Sequence, residues 1–286
     1  MMKILFVVAL CLGCVYCEVL IDWSNMNGNN YLGHIKDQRN TGMCWAFASV
    51  SFLEANYNIL TNNLYTLSAE QLGDNVDEYF QEHDVERCSM QRPSYNGGFE
   101  SCALNYVQKK GIMTEYDYPF TNGGEKYGVY DEKIVTPIGV RNVTVFDIDE
   151  SYERFGGDNI FKSPEEVMTI ILSELLHRGV VLGQINSGAF PRVIWDETDT
   201  YTKNIFETQT TDHAILITGA YQDENDSYVI IQNSWGIMDG SNGFRHILIS
   251  EGEEVYNNLG ILSKFTFGEI YNKYTTYEEE NKVEIF

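Results

Sequence analysis

The chain has 286 residues, 43% hydrophobic and 13% aromatic, enough for one large or two-lobed domain and too apolar for wholesale disorder. Its 19 Lys and Arg against 42 Asp and Glu give a formal net charge of −23. So few basic groups exclude an extended phosphate-binding surface, and with it nucleic acid or an anionic membrane as partner.

Lys3 followed by the apolar run Ile4 to Val15 reads as a secretory signal, too short to span a bilayer. Val15 and Cys17 are small enough for a cleavage site, so the signal spans residues 1–17 and the cut falls before Glu18. Cys11, Cys14 and Cys17 leave with it, and Cys44, Cys88 and Cys102 remain. Three thiols leave one without an intramolecular partner; Cys88 and Cys102 can form one disulfide, with Cys44 left free. Gly42 interrupts structure just ahead of Cys44. Residues 45–60 hold no Pro or Gly, and Phe47, Val50, Leu53, Tyr57 and Leu60 form an apolar helical stripe. Cys44 is thus expected in a first helical turn, where unpaired amides and the dipole favour the thiolate.

Two acidic stretches, residues 73–87 and a part of 122–159, read as solvated loops, with a lid or partner site as the sharper reading. Asn142 and Asn225 head glycan acceptor triplets. Ser163, Pro164 and Glu166 form a helix start with cap, first residue and capping-box partner. Residues 180–185 and 228–232 read as strands, and 222–226 as a polar turn. Glu278, Glu279 and Glu280 read as an exposed tail.

The stretch Gln38-Arg39-Asn40-Thr41-Gly42-Met43-Cys44-Trp45-Ala46-Phe47 resembles the active-site signature of papain-like cysteine proteases. The resemblance implies that Cys44 is the nucleophile and that Gln38 donates to the oxyanion beside the Cys44 N–H. Asp212 to Gly219 is similar to the family's histidine motif, in which His213 opens a hydrophobic strand. Asn233-Ser234-Trp235-Gly236 is similar to its asparagine motif. A hairpin folded about residue 224 sets His213 across from Trp235, with Asn233 two residues from register and within reach of the ring. The resemblance implies that the Asn233 amide oxygen accepts from the ring and orients His213, and that Trp235 shields that bond from water. The other histidines, His34, His83, His177 and His246, carry no such pattern.

Asn96-Gly97-Gly98 resembles the loop that pairs with extended substrate backbone. Phe99, Glu100 and Thr211 match positions lining the family's main specificity pocket, and Lys264 is expected at its floor, where it would accept an acidic side chain. The implied substrate-binding set is Gly97, Gly98, Phe99, Thr211 and Trp235. Asp22-Trp23, Leu67 to Leu72 and Tyr118-Pro119-Phe120 extend the resemblance over most of the chain.

The implied fold is α+β: a helical left lobe (about 24–130), a β-barrel-like right lobe (about 131–265) and a cleft between them. Residues 266–286 are an acidic C-terminal extension of the peptidase domain 18–265. The implied activity is endopeptidase chemistry on proteins or peptides by a monomer, with cystatin-like inhibitors and neither metal nor cofactor. A catalytically silent binding protein and an exopeptidase of the same fold are the alternatives. The implied location is the secretory pathway, ending outside the cell or in an acidic lysosome or vacuole. Four departures stand out. No pro-segment is expected between Glu18 and Trp23. Thr41 and Tyr95 occupy the places of a bonded Cys pair. Cys44 and His213 lie 169 positions apart, against about 130–150 for the family. The chain also runs past the family's usual end.

Overall fold

The computed structural model describes residues 19–83, 88, 94–122, 128–147, 164–187, 200–201, 211–222, 227–249 and 263–275. The signal 1–17, the sequon Asn225, the cap Ser163 and the acidic tail 278–280 lie outside the described residues.

In chain order come β1 (Val19–Asp22), α1 (Cys44–Thr61), α2 (Ala69–Glu82), α3 (Glu100–Lys110), β2 (Ile138–Asp147), α4 (Pro164–His177), β3 (Val181–Ile185), β4 (Thr200–Tyr201), β5 (His213–Gln222), β6 (Ser227–Gln232), β7 (Phe244–Leu248) and β8 (Lys264–Asn272). Among the described residues the strands form one sheet in the order β2-β8-β3-β5-β6-β7-β4, with β1 also paired to β5. All pairings are antiparallel except β4 with β7.

The two faces of this sheet set the layout. Along β5, Ala214 and Leu216 join a core with α1, α2 and α3, whereas Ile215 and Ile217 join a second core with α4. The period-2 alternation of a strand therefore divides one apolar run between two layers. β5 is buried from His213 to Ala220, which is why it reads as continuous apolar sequence rather than as alternation. α1 is the left-hand counterpart: fourteen of its eighteen residues are buried, from Trp45 to Asn58. It packs on β5, and that contact brings its N-terminus to the start of the strand.

Some expectations stand and others change. The expected α+β class stands, and over the described residues its sheet is not closed, ending in β2 and β4. β2 pairs with β8 and packs against α3, which occupies it from the helical side. Residues 73–82, expected as an acidic loop, complete α2, because Val76 and Phe80 give that stretch a buried face. Residues 266–272, expected in the extension, are the body of β8, paired with β2 along its length and with β3 at Thr266. The Cys88–Cys102 pairing is as expected: the two are bonded, tying the segment after α2 to α3.

Candidate active site

No side chain caps the start of α1. Cys44 is its first residue and the free cysteine among those described. Its thiol accepts backbone hydrogen bonds from Ala214, the residue after His213, and from Trp45. Burial, with Glu100 and Asp212 acting in the same direction, outweighs the Ala214 and Trp45 amides and pushes the thiol up to about 11. The helix terminus by itself therefore does not produce a thiolate, because loss of water outweighs the donated amides.

The loop before α1 is stitched to the asparagine motif. Gln38 N donates to Ser234 O at 2.8 Å, and Gly236 N to Lys36 O at 2.9 Å. The Gln38 side chain is fixed at both ends: its Oε1 accepts from Ser234 Oγ at 2.6 Å, and its Nε2 donates to Thr41 O at 2.8 Å. A buried Lys36–Glu54 ion pair at 2.8 Å anchors the same segment to α1.

The segments of Thr41 and Tyr95, expected in the places of a bonded Cys pair, meet through the backbone. Gly42 N donates to Tyr95 O at 2.5 Å. A Cβ on Gly42 would lie 2.8 Å from the backbone of Asn96, so only glycine allows this approach. A Cβ on Gly98 would lie 2.2 Å from the Trp45 ring. Gly97 and Gly98 are thus held on the first turn of α1. The Tyr95 hydroxyl reaches Glu70 Oε1 at 2.9 Å and Asp74 Oδ1 at 2.8 Å, both on α2.

His213 opens β5 and is buried. Its Nε2 lies 2.7 Å from Asn233 Oδ1, and its ring lies 4.7 Å from that of Trp235. Burial lowers the imidazole's proton affinity, while the Asn233 bond, Asp212 and Asp239 raise it. The register delivers this contact: Leu216 faces Gln232 and Ile217 faces Ile231, the pairing of a hairpin centred on residue 224.

The pocket set also converges. Glu100, the first residue of α3, is buried and receives Gln184 Nε2 at 2.9 and 3.1 Å. Gln184 Oε1 accepts from Thr211 Oγ1 at 2.9 Å. Lys264 Nζ lies 5.5 Å from the centre of the Phe99 ring. Burial raises the Glu100 carboxyl and Lys264 lowers it. An acidic neighbour thus stands beside the lysine expected to bind acidic side chains. Sequence reading misses Gln184 and Asp239 and gives Ser234 no role within its motif; each gains its partner only through strand pairing or a turn. The sequon Asn142 is exposed and donates to Glu269 Oε2 at 2.9 Å. His83, just past α2, bonds to the carbonyl of Tyr79, His177 bonds to that of Ser173 within α4, and His246 stacks on Tyr228.

A thiol at a helix start, an imidazole at a strand start and an amide behind it are the equipment of a thiol hydrolase. The chain belongs to the papain family of cysteine proteases, whose model matches residues 19–267. It is 28% identical to falcipain-2b of Plasmodium falciparum over 244 residues, covering 80% of this chain and 42% of that one. It is 27% identical to cysteine proteinase 1 of Zea mays over 248 residues, covering 84% and 58%. The chain thus spans about half the length of these relatives. Among solved structures, digestive procathepsin L2 from the Tenebrio molitor larval midgut superposes with a TM-score of 0.65 at 20% identity, covering 87% of this chain and 67% of that one. Procathepsin L 3 from the same tissue gives 0.61 at 21%, covering 87% and 69%. The fold is the papain-like α+β fold.

Proposed function

We propose that this chain is a cysteine endopeptidase acting on protein or peptide substrates in the secretory pathway, either secreted or in an acidic lysosome- or vacuole-like compartment. The observation that carries the reading is the His213 Nε2–Asn233 Oδ1 bond at 2.7 Å, next to a thiol bonded to the following residue's amide. With Nε2 donating to Asn233, the neutral ring leaves Nδ1 to take the Cys44 proton. Sγ attacks the peptide carbonyl, and the oxyanion meets the Cys44 N–H and the second Nε2 hydrogen of Gln38. His213 passes its proton to the leaving amine, and a thioester remains. His213 then takes a proton from water, whose oxygen attacks the thioester and frees the acid and the thiol.

Gly97 and Gly98 offer backbone to the substrate strand. Phe99, Thr211 and Trp235 border it, with Glu100, Gln184 and Lys264 behind. The division into lobes at about residue 130, the signal at 1–17 and glycans on Asn142 and Asn225 belong to the same reading. Mass spectrometry after treatment with a peptidyl epoxide at about pH 5 tests it. One adduct on Cys44, absent in His213→Ala, is the expected result. A folded chain that takes no adduct would sink this reading and leave either a binding protein or an enzyme that needs a pro-segment to assemble its site. Digestion of a long peptide, read position by position, distinguishes internal cleavage from trimming of one end.

A further inference from the structure

The Asn233 side chain is engaged at both ends. Its Oδ1 faces His213 Nε2 at 2.7 Å and also accepts from Ser234 N at 2.8 Å. Its Nδ2 lies 2.7 Å from Asp239 Oδ2. An ionised carboxylate only accepts, so the end of the amide facing Asp239 is the NH2 group. The end facing His213 is then the oxygen, which also only accepts. Nε2 of His213 must therefore carry the hydrogen, and Nδ1 is the open nitrogen of the neutral ring. The Asp239 carboxylate, which only accepts, and the Ser234 N–H, which only donates, fix the orientation of the amide from its two ends, and the tautomer of the imidazole follows.

That carboxylate is itself held. Arg245 on β7 donates from Nε to Asp239 Oδ2 at 3.1 Å and from Nη2 to Oδ1, and both side chains are almost fully buried. The backbone fixes the turn as well: Asp239 N donates to Gly236 O at 3.2 Å and Gly243 N to Asp239 O at 2.7 Å. Asn233 N donates to Gly243 O at 2.9 Å, so the turn and the amide move as one piece. A bidentate arginine–carboxylate pair in a shielded place gives orientation as well as energy.

We propose that Asp239 is a positioning residue for the hydrolysis: it locks the Asn233 amide, and through it the His213 tautomer, and its charge supports the imidazolium formed when Cys44 gives up its proton. This rests on the cysteine-protease reading above. The other ionisable groups around the imidazole are the Cys44 thiol on α1 and Asp212 just before β5, with Glu100 acting on the thiol and Arg245 on Asp239. Asp212 stays in place in every variant below, so a change measured in them reports on Asp239.

The test is Asp239→Asn in the full mature chain. Asparagine offers an NH2 group as well as an oxygen, so the Asn233 amide is left with only the Ser234 N–H to orient it, and the negative charge is gone. The expected result is a kcat lower by about 10- to 100-fold with KM little changed, the range seen when partners behind a reacting group are removed. The alkaline limb of kcat/KM should move to lower pH, because the imidazolium loses its support. ¹⁵N NMR of histidine-labelled protein should show the His213 ring titrating at lower pH by the same interval, with the Nε2–H form less populated. Arg245→Lys keeps the charge on Asp239 but loses the fork. It should give a smaller kcat loss of the same kind, and it decides the matter if Asp239→Asn does not fold. A folded Asp239→Asn, or Arg245→Lys in its place, with the wild-type kcat, pH profile and ring signals would overturn the proposal. So would a loss of rate that merely tracks the fraction of titratable thiol. A wild-type chain without peptidase activity would sink the protease reading instead, and the ring signals would still decide the role of Asp239.

Discussion

A thiol that burial holds near 11 and an imidazole that burial drives below its ordinary value are each electrically neutral when alone at pH 7. Only together, by moving the proton from Sγ to Nδ1, do they form an ion pair whose attraction in a low-dielectric place offsets both penalties. His213→Ala should therefore leave Cys44 a protonated thiol. Its alkylation by iodoacetamide should vanish at pH 5–7 and return with a midpoint near 11. Equal alkylation of variant and wild type at pH 6 would show that the imidazole plays no part. Gln38 invites a separate test, because its amide is held by Ser234 and Thr41 before any substrate arrives. Gln38→Ala should lower kcat about 10²- to 10³-fold, the cost of one oxyanion donor. Steady-state kinetics on a peptide should show KM nearly unchanged.

At the scale of elements, α1 and the loops around it depend on close approach rather than on covalent ties. Gly42→Ala sets a methyl against the Asn96 backbone, and neither segment can yield without disturbing Gly97 and Gly98 or Cys44. A displacement of about 1 Å at such a site costs about 10²-fold in rate, and kcat/KM should fall by that much while the fold survives. Normal kinetics in this variant would mean that the two loops are not coupled. Tyr95→Phe removes the hydroxyl shared by Glu70 and Asp74. Tyr118 and Thr121 still serve those carboxylates, so the loss should be about 1–3 kcal/mol by urea denaturation. Reduction of Cys88–Cys102, which spans 14 positions, should cost about 3 kcal/mol by loop closure.

Over the whole molecule the excess of acid governs the response to pH. Burial raises Glu54, Glu100 and Glu115 above their ordinary value of 4.5. A carboxyl raised in the fold contributes stability that is complete below 4.5 and is lost as pH climbs through the raised value. Burial lowers His34, His213 and His246 below 6.5, and their contribution is present above 6.5 and lost as pH falls. Repulsion within a chain of net charge −23 also eases on acidification. From pH 8.5 down to about 7.5 the histidines are neutral in the folded and the unfolded chain, so the easing of repulsion acts without their opposition. The melting temperature should rise over that interval in a calorimetric scan. A melting temperature that falls over it would contradict this account.

The Gln38–Cys44 spacing, the helix behind Cys44, the strand opened by His213 and the hairpin centred on residue 224 are local patterns, and each is legible because its residues are near neighbours in the chain. The expected helix at 45–60 is α1, the strand at 180–185 is β3 but for its first residue, and Ser68 caps α2 by accepting from Gln71 N. The hairpin also hid something: a register shift between Ile217 and Gly219 displaces its far half by one residue. The acidic stretch at 73–82 misled because charge count says nothing about the buried Val76 and Phe80 beneath it. Asp239 behind Asn233, Gln184 between Glu100 and Thr211, and β8 beyond residue 265 came only with the folded chain. The sequence by itself determined the reacting groups and the elements that carry them, since periodicity and spacing act within a few residues. The tertiary structure alone decided their protonation and orientation, since burial and the far hydrogen-bond partner come from strands and turns that the chain order keeps apart.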